Sequence, residues 1–208
     1  MRNDTSGLLG YGRAPMDQPM TAFGDVFVFH VALRDIEPAI WRRLRVPADV
    51  SLARLHDILQ IAFGWTDSHL HDFLVGDVRI SMLDIEDEFF AIDEHAAPFG
   101  AVARQDTQIL YRYDFGDDWE HDIKVEAVLE SGPETIECLG GARACPPEDC
   151  GGTSGYEHVV EVLSKPRHPE HKEMREWVGP RFDPERFDIK AVNKALATLE
   201  RRGKRKRR

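Results

Sequence analysis

The sequence predicts a single α+β domain in which helices pack on a mainly antiparallel sheet of about five to six strands. Apolar residues alternate over positions 25–33 and again over 109–127, which is the period of strands with one buried face. Positions 52–63 instead carry apolar residues at helical spacing. Further helical segments follow residue 154, so we expect one helix after the second strand and a C-terminal group of helices.

The composition is that of a globular protein. Of the 208 residues, 42% are hydrophobic, and no apolar run approaches the roughly 20 residues that cross a bilayer. Residues 1–22 lack the apolar stretch of a signal peptide, so we expect a cytoplasmic protein without a membrane partner. We predict a flexible arm at 1–22, the folded domain at 23–200 and a basic disordered tail at 201–208.

Charge is distributed unevenly along the chain. The net charge is −10, yet seven of the 27 basic residues lie in the last eight positions, which begin at Arg201 and end at Arg208. The first 200 residues therefore carry 20 basic against 37 acidic residues. Such an acidic body repels nucleic acid, whereas the tail could contact it weakly or could act as a solubilising end.

The elements follow in order along the chain. A strand at 25–33 turns at 35–38 into a second strand at 39–46, which Pro47 ends. Ser51 can cap the helix at 52–63 and Gly64 can end it. In a strand at 69–75, His69 and His71 would project from one face, where they could bind a metal or substrate together or simply lie at a sheet edge.

Residues 111–126 read as an aromatic hairpin. Its two apolar rows must share a face, because directly paired residues point the same way. We therefore predict an odd-length loop at 116–118, with Phe115 opposite Trp119 and Tyr113 opposite His121.

The hairpin tip and its outer face are strongly acidic. Trp119 lies among five carboxylate residues, Asp114, Asp117, Asp118, Glu120 and Asp122. Like charges this close need solvent or a cation. A solvated tip, a divalent cation such as Mg²⁺ or Ca²⁺, and a basic partner all fit this pattern.

A Pro/Gly/Cys loop follows at 137–152 and should fold back beside the hairpin. Cys138, Cys145 and Cys150 are spaced C-x6-C-x4-C, without the C-x2-C pairs of familiar zinc modules. His158 or His121 could supply a fourth zinc ligand, and the alternative is a purely structural loop. The loop also contributes the binding candidates Glu148 and Asp149.

One N-terminal fragment, which begins at Tyr11 and ends at Gln18, resembles the opening strand of serine recombinases. Pro15 stands where the nucleophilic serine should be. This fragment therefore does not support resolvase activity.

The assembled residues resemble the plasmid pRiA4b ORF-3-like family. The matching stretches are residues 55–73, 111–126, 138–156 and 176–196, and the resemblance spans 23–200. It implies a compact α+β domain with no established activity, in a family whose members are sometimes labelled resolvases. Members joined to other modules, including DNA-binding ones, imply an interaction or sensing role. The resemblance supplies no catalytic residues.

Three functional hypotheses follow. The first is a binding or regulatory module associated with plasmids or mobile elements, with an unknown protein or small ligand as partner and no complete catalytic set. The second is a metal-dependent hydrolase or nuclease-like enzyme that uses His69, His71 and His121 with the hairpin carboxylates. The third is a structural protein stabilised by zinc at the Cys loop.

Overall fold

The computed structural model of the chain describes residues 25–82 and 91–206, with side chains described as far as Gly203. Eight strands are β1 Val26–Leu33, β2 Trp41–Pro47, β3 His71–Val75, β4 Val78–Ser81, β5 Ala91–Asp93, β6 Gln108–Tyr113, β7 Trp119–Leu129 and β8 Glu137–Ala142. Five helices are α1 Leu52–Phe63, α2 Phe99–Val102, α3 Gly152–Ser164, α4 His171–Val178 and α5 Ile189–Lys206. No helix in these described ranges has the length and apolar character needed to cross a membrane.

The strands form one mixed sheet in the order β5-β4-β3-β6-β7-β1-β2-β8. All neighbours are antiparallel except β4 and β5, which are parallel. The α+β prediction is confirmed, but the expected five to six strands were too few. The two additional strands lack a readable period, because β5 has three residues and β8 is a glycine-containing edge strand within the segment that we interpreted as loop.

Helix α1 covers one face of the sheet and supplies much of the core. Its apolar stripe, Leu52, Leu55, Ile58, Leu59, Ala62 and Phe63, is buried. The hydroxyl of Ser51 accepts a hydrogen bond from the Arg54 amide at 3.2 Å and caps the helix, which ends at Gly64 with φ of 99°. Both predicted ends of this helix are therefore confirmed.

The hairpin has an odd-length loop, but its register differs from our prediction. Tyr113 pairs with Trp119 and Tyr111 pairs with His121, so the loop comprises residues 114–118 rather than 116–118. All four paired rings are buried. Phe115 lies in the loop, 43% exposed, with the guanidinium of Arg112 over its ring at 5.5 Å.

Helix α5 runs past the predicted end at residue 200 into the basic segment. The residues expected to begin a disordered tail are helical as far as Lys206. Arginine and lysine are good helix formers, and their positive charges suit the C-terminal end of a helix. The Arg54 side chain also donates a 2.7 Å hydrogen bond to the Leu199 carbonyl and so ties α5 to α1.

One side chain of α5, Asn193, pairs with the main chain of the edge strand β8. Asn193 Oδ1 accepts from the Cys138 amide at 2.8 Å, and Asn193 Nδ2 donates to the Cys138 carbonyl at 2.9 Å. The amide group thus satisfies the two main-chain groups as a neighbouring strand would, which protects an otherwise open sheet edge.

We expect Asn193→Ala to destabilise the fold by about 1–3 kcal/mol, because it leaves both partly buried main-chain groups of Cys138 without their partner. Denaturant unfolding measures this loss. Lys194→Ala, at the neighbouring exposed position, is the matched control and should change stability by less than about 0.5 kcal/mol. Equal effects of the two substitutions would contradict the edge-pairing role.

Candidate functional site

The hairpin tip and the Cys loop lie against each other, as predicted. The Gly151 amide donates a 3.0 Å hydrogen bond to Asp117 Oδ2. At Gly152, a Cβ atom would lie 2.6 Å from the Asp117 carbonyl oxygen, and the backbone has φ of +67°. Only glycine allows this approach without displacement, so the loop sequence itself fixes the position of the acidic tip.

His69 lies at the centre of the acidic groups that this contact brings together. Its Nε2 atom is 3.6 Å from Asp114 Oδ2, 3.9 Å from Glu148 Oε2 and 3.2 Å from Asp149 Oδ1. The same nitrogen is buried, and none of these contacts gives it a hydrogen-bond partner within the described residues. We name His69, Asp114, Glu148 and Asp149 the tip cluster.

The hairpin turn orients Asp114. This residue adopts a left-handed backbone with φ of 57°, a conformation that aspartate tolerates better than most residues. Its Oδ1 atom accepts from the amides of Gly116 at 3.0 Å and Asp117 at 3.3 Å. With Oδ1 held by the turn, Oδ2 faces His69.

Glu148 is held by groups that sequence reasoning missed. Its Oε1 atom accepts from the Thr66 amide at 2.8 Å, from the Thr66 hydroxyl at 3.1 Å and from the Tyr113 hydroxyl at 3.1 Å. Burial raises the pKa of the Tyr113 phenol, and the Glu148 carboxylate raises it further, so the phenol stays protonated and donates. Nothing in the sequence signalled that Thr66 and Tyr113 would meet Glu148.

His71 belongs to a separate cluster. Its ring stacks on that of His56, with centroids 3.4 Å apart and planes within 4°, and its Nε2 atom contacts Glu94 Oε2 at 2.8 Å. The two nitrogens of His56 contact Asp67 Oδ1 and the Tyr111 hydroxyl, each at 2.8 Å. Burial and then His71 lower the pKa of His56 despite Asp67.

The prediction that His69 and His71 project from one face of a strand at 69–75 is therefore wrong, and the joint site considered for them does not form. Strand β3 begins at His71, so His69 precedes the strand and the expected i, i+2 alternation does not apply to it. His56, Asp67 and His71 lie close enough together to be considered as metal ligands. The hydrogen bonds of the two imidazoles, however, account for both histidines as buried structural residues.

His121 and Trp119 are core residues and not part of a binding surface. His121 is fully buried, and its Nδ1 atom lies 3.1 Å from the Trp119 carbonyl oxygen. Burial lowers the pKa of His121 to about 3, against hydrogen bonds to main-chain carbonyls that raise it. Trp119 is 1% exposed. The set of three histidines proposed for a metal-dependent enzyme is therefore not assembled.

The two carboxylates on β7 beyond the loop share one arginine at the surface. Arg34 pairs with Glu120 at 2.7 Å and with Asp122 at 2.6 Å. Asp118 is exposed and is not among the contacts of His69. Of the five predicted hairpin carboxylates, Asp114 joins the tip cluster and Asp117 holds the Cys loop.

The cysteines do not gather into a metal site within the described residues. Burial raises the pKa of Cys138 and Cys145, and it raises the pKa of Cys150 to about 12, so the thiols are protonated at neutral pH. Cys138 Sγ donates to the Gly140 carbonyl. His158, the predicted fourth ligand, contacts Glu170 at the surface at 2.8 Å.

The tip cluster has the composition of a cation site. Ligand atoms of His69, Asp114 and Asp149 all lie within 4.8 Å of one another. One imidazole with carboxylates suits Zn²⁺, Mn²⁺ and similar ions, whereas Mg²⁺ and Ca²⁺ prefer oxygen ligands alone.

The fold and this cluster define an α+β domain with a His–carboxylate group between a hairpin tip and a Gly/Pro/Cys loop. The chain belongs to the family described as plasmid pRiA4b ORF-3-like protein, whose model matches residues 25–191. It is 41% identical over 186 residues to "Uncharacterized protein y4hQ" of Sinorhizobium fredii (strain NBRC 101917 / NGR234), covering 86% of this chain and 94% of that protein.

A similar solved structure is the crystal structure of protein of unknown function MM3350 from Methanosarcina mazei Go1. It matches with a TM-score of 0.75 and 33% identity, over 81% of this chain and 98% of that one. These comparisons establish the family and the fold. The resolvase-like fragment from Tyr11 to Gln18 lies outside the described residues.

We expect Gly152→Ala to destabilise the protein more than Gly76→Ala by at least about 1 kcal/mol. Both glycines have positive φ, +67° and +59°, but a Cβ at Gly76 meets nothing within 4 Å. The Gly76 variant therefore measures the cost of a left-handed alanine alone, about 1–2 kcal/mol. Denaturant unfolding compares them, and equal losses would show that the contact with Asp117 is not a tight constraint.

We expect the buried His121 to make stability depend on pH. Its folded pKa of about 3 is below the value of about 6.5 in the unfolded chain. Between these values the unfolded state binds a proton that the folded state does not, so stability falls as pH falls through 6.5, by up to about 1.4 kcal/mol per pH unit. In His121→Gln, the slope of the unfolding free energy against pH should be smaller by the contribution of one proton. An unchanged slope would show that His121 does not cause this pH dependence.

Proposed function

We propose that this protein is a binding module whose tip cluster takes a divalent cation of the Zn²⁺ or Mn²⁺ type. His69, Asp114 and Asp149 would be the ligands, with Glu148 beside them. The observation that supports this proposal is the environment of the His69 Nε2 atom. It is buried, has no hydrogen-bond partner in the described part of the chain, and lies within 4 Å of three carboxylates.

Electrostatics favours a cation at this position. The three carboxylates around His69 repel one another, and no arginine or lysine among the described residues pairs with them. A divalent ion would offset two of their charges and would use the lone pair of Nε2. The hydrogen bonds from the main chain to Asp114 and from Thr66 and Tyr113 to Glu148 provide the outer support that such ligands need.

The proposal is restricted to binding. The hydrolase alternative required His71 and His121, which lie in the stacked pair and in the core. The zinc-stabilised Cys loop required cysteines that do not form a ligand group among the described residues. The family's description supports placing this module on plasmids or mobile elements. Exposed Arg201 and Arg202 at the end of α5 support a weak nucleic-acid contact there.

We expect Zn²⁺ or Mn²⁺ to bind the purified protein at one site and to raise its free energy of unfolding by about 2.7 kcal/mol at 100 times the dissociation constant. Isothermal calorimetry and thermal unfolding, before and after chelation, provide the measurements. His69→Ala should weaken binding at least about tenfold, since it removes the only nitrogen ligand of the tip cluster.

Two variants serve as controls for this experiment. His158→Ala removes an exposed imidazole outside the cluster, and Cys150→Ser removes the most exposed thiol of the loop. Both should bind the ion as the unmodified protein does. Absence of any site, or equal weakening by His69→Ala and His158→Ala, would refute the proposal. If Cys150→Ser abolished binding of the ion, a metal site at the cysteines would be favoured instead.

A further inference from the structure

A groove of about 520 Å³ lies between the end of α1, the residues 144–148 and the start of α5. Its walls are mainly apolar and include Phe63, Trp65, Pro146, Phe182 and Val192. Sites for small molecules commonly have volumes of about 300–1,000 Å³ and apolar walls with a few polar groups. This groove borders the tip cluster only through Glu148, and its chemistry differs from that of the cluster.

One residue of the lining carries a buried positive charge. Arg42 is 2% exposed, and its guanidinium lies 5.0 Å from the ring centre of Phe63 and 4.2 Å from that of Phe187. Its hydrogen bonds all go to main-chain carbonyls, those of Trp41, Ala62, Ala142 and Arg143. Across the described residues, no carboxylate forms an ion pair with it.

The nearest ionisable groups do not neutralise this charge. Burial raises the pKa of Cys138 and of Cys145, although Arg42 opposes the shift in both, so both thiols are neutral at pH 7. Buried charges are usually paired, because removing an ion from water is costly. Carbonyl dipoles stabilise the guanidinium here, but its net charge is left to act on whatever occupies the groove.

Two more arginines line the groove. The exposed side chain of Arg181 has no hydrogen bond or ion pair with any described residue, and Arg186 is 3.9 Å from Asp188 Oδ2. Three carboxylates line the groove as well. Hydrogen bonds fix their positions but leave their charges, and among these described lining residues only Asp188 lies within 4 Å of an arginine. Glu148 accepts from Thr66, Asp183 accepts from the Glu185 amide, and Asp188 accepts from the Ala191 amide at the start of α5.

We propose that this groove binds a small organic anion whose apolar body lies against the aromatic walls and whose carboxylate or phosphate faces Arg181 and Arg186. Guanidinium groups suit both anions because they offer paired donors in one plane. The protein as a whole carries −10 and repels anions at long range. The apolar contacts therefore have to supply part of the affinity, which favours organic anions over inorganic phosphate.

Fluorescent probes test this inference on the full-length protein. Anilinonaphthalene sulfonate is an anion with an aromatic body, and N-phenyl-naphthylamine has the same body without the charge. We expect the anion to bind more tightly. In the double variant Arg181→Ala and Arg186→Ala, its affinity should fall by about tenfold, while the affinity of the neutral probe should change less than about twofold.

Arg167→Ala with Arg202→Ala, two exposed arginines outside the groove, is the matched control and should retain both affinities. Ala191→Phe, which fills the groove without changing charge, should abolish binding of both probes. His69→Ala should leave binding of the anion intact, since the groove does not depend on the cation proposed for the tip cluster.

Displacement of the anionic probe then identifies the anion. Naphthyl phosphate and naphthoate share one body, so the better competitor shows whether a phosphate or a carboxylate suits the arginines. Equal affinity for the charged and neutral probes, retention of the anion by the double arginine variant, or retention of both probes by Ala191→Phe would each overturn the proposal.

Discussion

The antiparallel pairing of β6 with β7 is the constraint on which the rest of the structure depends. It sets Tyr111 opposite His121 and Tyr113 opposite Trp119, and all four rings enter the core. The five residues left to connect the strands include Asp114 in a left-handed conformation. That turn directs one oxygen of Asp114 to the loop amides and the other to His69. The aromatic core and the acidic site are thus two consequences of one register.

Sequence periodicity could determine the faces of this hairpin but not its register. A shift of two residues keeps every side chain on its own face, because side chains alternate with a period of two. The predicted pairing of Phe115 with Trp119 and the observed pairing of Tyr113 with Trp119 differ by such a shift. The preference of Asp114 for a left-handed turn, and the stacking of Phe115 with Arg112 at the surface, favour the longer loop, and neither is visible as periodicity.

The tip cluster was predictable in its residues but not in its grouping. His69, Asp114, Glu148 and Asp149 were candidates from their sequence patterns, yet so were His71 and His121. What separates them is where each backbone segment enters the sheet. His71 is the first residue of β3, while His69 lies before it. His121 lies within β7, in the row of residues that faces the core. The fold therefore places His69, His71 and His121 in three different environments. In the environment of His121, burial lowers its pKa to about 3.

The distribution of arginines explains why the hairpin tip and the groove differ from the rest of the surface. On the outer face of the sheet, Arg34, Arg43 and Arg45 each pair with a carboxylate on a neighbouring segment. The tip cluster has three carboxylates and, within the described residues, no arginine or lysine paired with them. Arg42 is the converse case, since β2 alternation turns it inward, where carbonyls replace carboxylates. Negative charge without an arginine or lysine partner therefore remains at the tip cluster, and positive charge without a carboxylate partner remains at Arg42. Glu148 lies between the tip cluster and the groove.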